Sequence, residues 1–182
     1  MSFKTYSASG VVLKRVNFGE ADRLVTVFTE ESGKVIALAK GVRRLTSSRK
    51  GALEPAAYSR FFFATGKNLD ILTQAQLINS FFKAHDNLIR LTQTVQLLEI
   101  VDLLTAEKQA QPEVFALLIE TLANLETNGH KKTYLLEQIR LILKALGFTH
   151  DKVFTELELK AYIEDLSQKR LRTKDYLSTA NS

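Results

Sequence analysis

The chain of 182 residues has no cysteine, no tryptophan, two prolines and one methionine, the first residue. Without cysteine there can be no disulfide, no Fe–S ligation, no Cys-type zinc site and no thiol nucleophile, a composition that fits a reducing compartment. Long hydrophobic runs are missing too. No segment approaches the ~20 consecutive apolar residues of a membrane helix, and the opening MSFKTYSASG lacks the apolar stretch of a signal peptide. The expectation is a protein neither exported nor membrane-spanning. What is present is 45% hydrophobic and 25% charged residues, the make-up of a globular chain. Its length suits one ordinary domain or two small ones.

Charge is unevenly spread. Residues 1–80 hold 12 Lys/Arg against 6 Asp/Glu, whereas residues 81–182 hold 13 against 14, so the excess behind the net +5 belongs to the first part. The densest piece, KGVRRLTSSRK (Lys40 to Lys50), carries Lys40, Arg43, Arg44, Arg49 and Lys50 with no acid between them. Such a run is by default a solvated loop. Ser47 and Ser48 lie inside it without a GxSxG elbow, as loop formers or hydrogen-bond donors to phosphate.

Two periods divide the chain. From Gly10 to about Gln76 short β-prone runs alternate with Gly-bearing turns: Val11–Phe18, Arg23–Thr29, Val35–Lys40, Tyr58–Ala64 and Leu69–Gln76. In the second run Leu24, Thr26 and Phe28 share one face, and Arg23, Val25 and Val27 the other. Gly33 in EESGK suits a hairpin turn. Five strands in so few residues predict a closed barrel, with an OB fold as the first expectation and an SH3-like barrel as its competitor. Beyond Phe82 the period is helical. Leu88, Leu91, Val95 and Leu98 predict the buried stripe of a helix from about Asp86 to Leu104. Pro112 opens a second that ends at Asn128–Gly129, Gly147 terminates a third, and Thr155 with Glu158 makes a capping box for a fourth. The expected architecture is therefore α+β: a five-stranded OB-fold barrel over residues 1–80, followed by a helical bundle over residues 81–182 with a basic C-terminal tail.

No catalytic constellation is present. His85, His130 and His150 stand apart with no HExxH pair, so no metal site or cofactor is argued. Gly66-Lys67 lacks the rest of a P-loop, and no GxGxxG opens a helix. What remains is a basic barrel with aromatics among its cations, the chemistry of single-strand binding, in which cations track phosphates and rings stack on bases. The candidate DNA-binding residues are Lys14, Arg15, Arg23, Lys34, Lys40, Arg43, Arg44, Arg49, Lys50, Arg60 and Lys67. Phe18 and Tyr58 are the base-stacking candidates, because alternate members of Phe61–Phe63 must fill the core.

The run GVVLKRVNFGEADRLVTVFTEESGKVIALAKGVRR (Gly10 to Arg44), with GALEPA (Gly51 to Ala56) in order and spacing, resembles the amino-terminal barrel of the bacterial RecO family. LLEIVDLLTAE (Leu97 to Glu107), LLEQIRLILKALGF (Leu135 to Phe148) and RLRTKDYL (Arg170 to Leu177) resemble that family's later segments more loosely. The resemblance implies a recombination mediator in DNA repair, not an enzyme. Such a protein binds single- and double-stranded DNA, anneals complementary strands and, with RecR, helps load RecA onto DNA coated by single-strand-binding protein. It also implies a cytoplasmic, nucleoid-associated protein, and a site for the tail of single-strand-binding protein, for which Leu141, Lys144 and Lys152 are the candidates. Many relatives carry a four-cysteine zinc module after the LGF segment; Val153 and Phe154 stand there in this chain, which looks like a shortened member. Two other readings compete: a protein-interaction scaffold with a basic barrel, and an RNA-binding OB protein.

Overall fold

A computed structural model describes residues 4–43, 49, 51–82, 88–127, 132–149 and 154–173. The chain divides into two units, Met1–Lys83 with Ala106–Ala110, and Ala84–Thr105 with Gln111–Ser182. In the first, strands β1 (Thr5–Phe18), β2 (Asp22–Thr29), β3 (Gly33–Ala39), β4 (Ala57–Ala64) and β5 (Asp70–Ser80) form a barrel in the order β1-β2-β3-β5-β4, and β4 returns to β1. Every neighbour is antiparallel except β3 and β5, whose parallel seam is short: Ala37 opposite Asp70 and Leu38 opposite Ile71. This is the OB arrangement, with its partly open seam. The α+β expectation holds, and the SH3-like alternative drops out.

Alternation fills the interior. Val25 and Val27, Val35, Ala37 and Ala39, and Phe61 and Phe63 face the core, so Leu24, Thr26, Phe28 and Phe62 take the outer side. Tyr6 stacks on Phe63 with centroids 4.9 Å apart. In β1 a bulge at Leu13, between Val12 and Lys14, reverses the parity. Before it Ala8 and Val12 point inward; after it Arg15 and Asn17 do, opposite Val25 and Arg23, and Lys14, Val16 and Phe18 face out. The link from β3 to β4 includes a 3-10 turn, Gly51–Leu53, whose Leu53 is fully buried in the barrel core. Segment Ala106–Ala110 belongs to this unit: the Lys108 amide donates to the Lys34 carbonyl at 2.9 Å. A Cβ on Gly33, which has φ +66°, would lie 1.8 Å from the Gln109 carbonyl oxygen. Only glycine tolerates both that conformation and that approach.

The second unit holds α1 (Leu88–Leu104), α2 (Pro112–Thr127), α3 (Lys132–Ala145) and α4 (Glu156–Ser167). Thr155 forms the predicted capping box with Glu158. Gly147, at φ +78°, ends α3 with the Phe148 amide on the Leu143 carbonyl and its own amide on that of Lys144, the Schellman pattern. The predicted stripe of α1 needs correction: Leu88 and Val95 are 67% and 40% exposed, whereas Leu97, Leu98, Ile100 and Val101 are buried. The reason lies in contacts on several sides. α1 packs against α2, α3 and α4, and its first turns bury Thr92, Gln93, Thr94 and Gln96, so no single apolar stripe marks the buried face.

Candidate nucleic-acid interface

Register places a row of apolar side chains across the outside of the barrel. Val16 lies opposite Leu24, Leu24 opposite Leu38, and Leu38 opposite Ile71. All four belong to the outer face; Leu24, Leu38 and Ile71 are half-buried and Val16 is 54% exposed. On one side of this row stands Lys14, opposite Thr26; on the other stand Phe18, 52% exposed and opposite Asp22, and Lys40 just past the end of β3. An apolar stripe with a ring and cations at its margins can hold bases on its floor and phosphates at its edges. Sequence reasoning identified Lys14, Phe18 and Lys40 but missed Val16, Leu24, Leu38 and Ile71. The available signal was that β2 is apolar on both faces, which a strand with one solvated face would not be.

The predicted cations occupy different places. Lys14, Lys40, Arg43, Arg60 and Lys67 are exposed. Arg43 donates from Nη1 to the Gly19 carbonyl at 2.9 Å, and its amide donates to the Ala21 carbonyl at 2.9 Å. The Gly41 amide donates to Asp22 Oδ1 at 2.7 Å. These bonds fix the start of the basic loop against the β1–β2 turn, and a carbonyl acceptor leaves the Arg43 charge intact. Arg60 lies elsewhere, on the outside of β4 opposite Ser9 and Gln76, and Lys67 sits in the β4–β5 turn. Tyr58 is half-buried on β4 opposite Val11, so the register does not bring it to Phe18.

Two predicted phosphate partners are bonded within the barrel and a third is buried. Arg23 is 7% exposed and faces inward, where its Nη1 meets Glu54 Oε1 at 3.3 Å and its Nε donates to Asn17 Oδ1 at 3.4 Å. Lys34 is 9% exposed. Arg49 donates from Nη1 to the Leu72 and Thr73 carbonyls at 3.1 and 3.2 Å, and from Nη2 to the Lys40 carbonyl at 2.6 Å. It thereby spans the point where β3 and β5 part. Arg15 is intermediate: its Nη2 meets Glu54 Oε2 at 2.6 Å, with side-chain exposures of 31% and 35%. One carboxylate thus serves two guanidiniums, and the cluster keeps one net positive charge. Arg44, Lys50 and Lys152, like Ser47, Ser48 and the three histidines, lie outside the described residues. In the second unit Leu141 is 37% exposed, and Lys144 is exposed on the same helix.

Residues 1–81 match the family described as "Recombination protein O N terminal". The chain is 35% identical over 145 residues to the DNA repair protein RecO of Heliobacterium modesticaldum, covering 80% of this chain and 52% of that protein. It is 36% identical over 117 residues to the RecO of Salinibacter ruber, covering 63% and 45%, and 37% identical over 126 residues to that of a Synechocystis species, covering 69% and 46%. The chain therefore spans about half the length of the curated relatives it matches.

Proposed function

We propose, from its similarity to the RecO family over residues 1–81 and to curated RecO proteins at up to 37% identity, that the chain is a DNA-binding recombination mediator in DNA repair, acting by binding and not by catalysis. The observation that carries this reading is the outward-facing apolar row Val16–Leu24–Leu38–Ile71, exposed at Val16 and half-buried along the rest, with Lys14, Phe18, Lys40 and Arg43 around it. Single strands lie across the row with their phosphates toward the cations. Neutralising phosphates on two strands lowers their mutual repulsion, so complementary bases can search for one another while both strands are held. No bond is broken. In this reading the protein engages duplex as well as single strands and works at the nucleoid in the cytoplasm. With RecR it helps place RecA on DNA coated by single-strand-binding protein, whose acidic tail is taken by the cationic and apolar surface around Leu141 and Lys144.

The test is annealing of complementary oligonucleotides followed by fluorescence, naked and coated with single-strand-binding protein. Lys40→Glu combined with Arg43→Glu is expected to abolish annealing while far-UV circular dichroism stays unchanged. A folded double variant that anneals at the wild-type rate would defeat the proposal and favour the scaffold reading, in which DNA plays no part.

A further inference from the structure

The backbone of Glu54 is anchored independently of its carboxylate. Its amide donates to the Gly51 carbonyl at 3.4 Å and its carbonyl accepts from the Ala57 amide at 3.0 Å, so the side chain can turn without moving the barrel wall. Its two oxygens have unequal tasks. Oε1 meets Arg23, whose side chain is 9% exposed, while Oε2 meets Arg15, whose side chain is 31% exposed. Releasing Arg23 would leave a buried guanidinium uncompensated, which is strongly destabilising. Releasing Arg15 would not: the outer guanidinium reaches water, and Arg23 keeps its carboxylate. Arg15 is also incompletely satisfied, because its Nε is shielded from water and has no hydrogen-bond partner. The one-nitrogen contact with Glu54 therefore leaves donor capacity of this guanidinium unused.

We propose that Arg15 and Glu54 form a single-phosphate subsite at the barrel wall, in which the Glu54 carboxylate holds the place of a nucleic-acid backbone phosphate until one displaces it. The inference rests on the DNA-binding reading given above and adds a residue that opposes binding. Glu54 lowers affinity in the free protein and lends the site selectivity for polyanions, since a single weak anion cannot displace a carboxylate already tethered to the fold. Arg15 is the exchangeable partner and Arg23 the permanent one.

A double-mutant cycle in the full chain tests this, with a fluorescent oligothymidylate as probe and chloride as the varied salt. Glu54→Gln is expected to bind about fivefold more tightly with the log–log salt slope kept, because the same phosphate is held in both forms once Glu54 is displaced. Arg15→Gln should flatten the slope by about 0.7, and in the double variant the gain from Glu54→Gln should vanish. If the gain persists without Arg15, Glu54 acts only through long-range charge and the subsite is wrong. If Glu54→Gln does not fold, Arg15→Gln alone decides, because an unchanged affinity and slope overturn the inference. Inorganic phosphate at ionic strength matched to chloride separates the two sources of the anion. Equal competition by the two salts supports a backbone phosphate, whereas excess competition by phosphate that disappears in Arg15→Gln assigns the subsite to the free ion and overturns the proposal. Wild-type binding with no change in Glu54→Gln would sink the subsite and leave DNA binding standing; no binding by any form sinks both.

Discussion

Tyr6 donates its phenol proton to Asp70 Oδ2 at 2.6 Å, and the same carboxylate accepts the Gly66 amide through Oδ1 at 3.3 Å. Burial first, then the hydrogen bond and negative charge of Asp70, hold the phenol well above its ordinary value. A tyrosine in the unfolded chain loses its proton near pH ~10, while Tyr6 in the barrel keeps it. The stabilisation is therefore complete below that pH and is lost as pH rises toward the folded value. Urea midpoints should begin to fall near pH ~10 and go on falling above it, and Tyr6→Phe should flatten that fall while lowering stability at neutral pH by the loss of one hydrogen bond, about 1 kcal/mol. An equally steep fall in the variant would assign the alkaline loss to other groups. At this scale the sequence was legible where alternation governs: Phe61 and Phe63 go in and Phe62 goes out. It was not legible for Arg15, because the bulge at Leu13 reverses which side of β1 meets the core, and a one-residue insertion leaves no mark in composition. Glu54 escaped notice for a similar reason: its two arginines are distant in sequence and meet it only once the barrel is wound.

The weakest point among the strands is the β3–β5 seam, which pairs at two positions before the strands separate. Arg49 supplies what the backbone there cannot, with three hydrogen bonds to two carbonyls of β5 and the Lys40 carbonyl just past β3. A lysine in its place would keep the charge but not the fork, since an ammonium is a point donor on a flexible stem. Arg49→Lys is accordingly expected to lower unfolding free energy by about 1–2 kcal/mol in urea with the salt dependence of DNA binding unaltered; a shallower slope at undiminished stability would instead make Arg49 a phosphate ligand. Element boundaries were readable where punctuation is local. The capping box at Thr155, the proline opening α2 and the glycine closing α3 all act within one helical turn. The first half of β1 was not readable, because TYSASG has little β propensity and becomes a strand through its pairing with β4, from Thr5 opposite Ala64 to Val11 opposite Tyr58. Gly10 belongs to this stretch for a reason no propensity scale contains: a Cβ there would lie 2.6 Å from the Phe28 carbonyl oxygen. The segment Ala106–Ala110 was equally hidden, since nothing in its residues announces that it joins the barrel unit between two helices of the other.

Across the whole molecule charge and architecture divide at the same place, with a positive excess in the first 80 residues and near balance in the remainder. Total charge sets how readily polyanions approach, but the number of phosphates held at once is set by cations that share a surface. On the outer face Lys14, Lys40 and Arg43 are exposed; the Arg15–Arg23–Glu54 cluster, on the inward side of β1 and β2, adds one net positive charge at the barrel wall, where the subsite proposed above takes a fourth phosphate. Four phosphate contacts on a single strand give a log–log salt slope of about −2.8, or about a fiftyfold loss of affinity between 50 and 200 mM salt. Arg60 and Lys67 lie on other strands and turns and stay out of this sum, whereas Arg44 and Lys50 would each steepen the slope by about 0.7 if the basic loop also lay along the strand. Fluorescence anisotropy of a labelled oligothymidylate across a chloride series should therefore return a slope between about −2.8 and −4.2, with little dependence on base sequence because the floor of the site is apolar. A much steeper slope would mean that the helical unit also grips the backbone despite its balanced charge. A flat one would mean that the cations serve an acidic protein partner and that the outward-facing row Val16–Leu24–Leu38–Ile71 is a protein-docking surface.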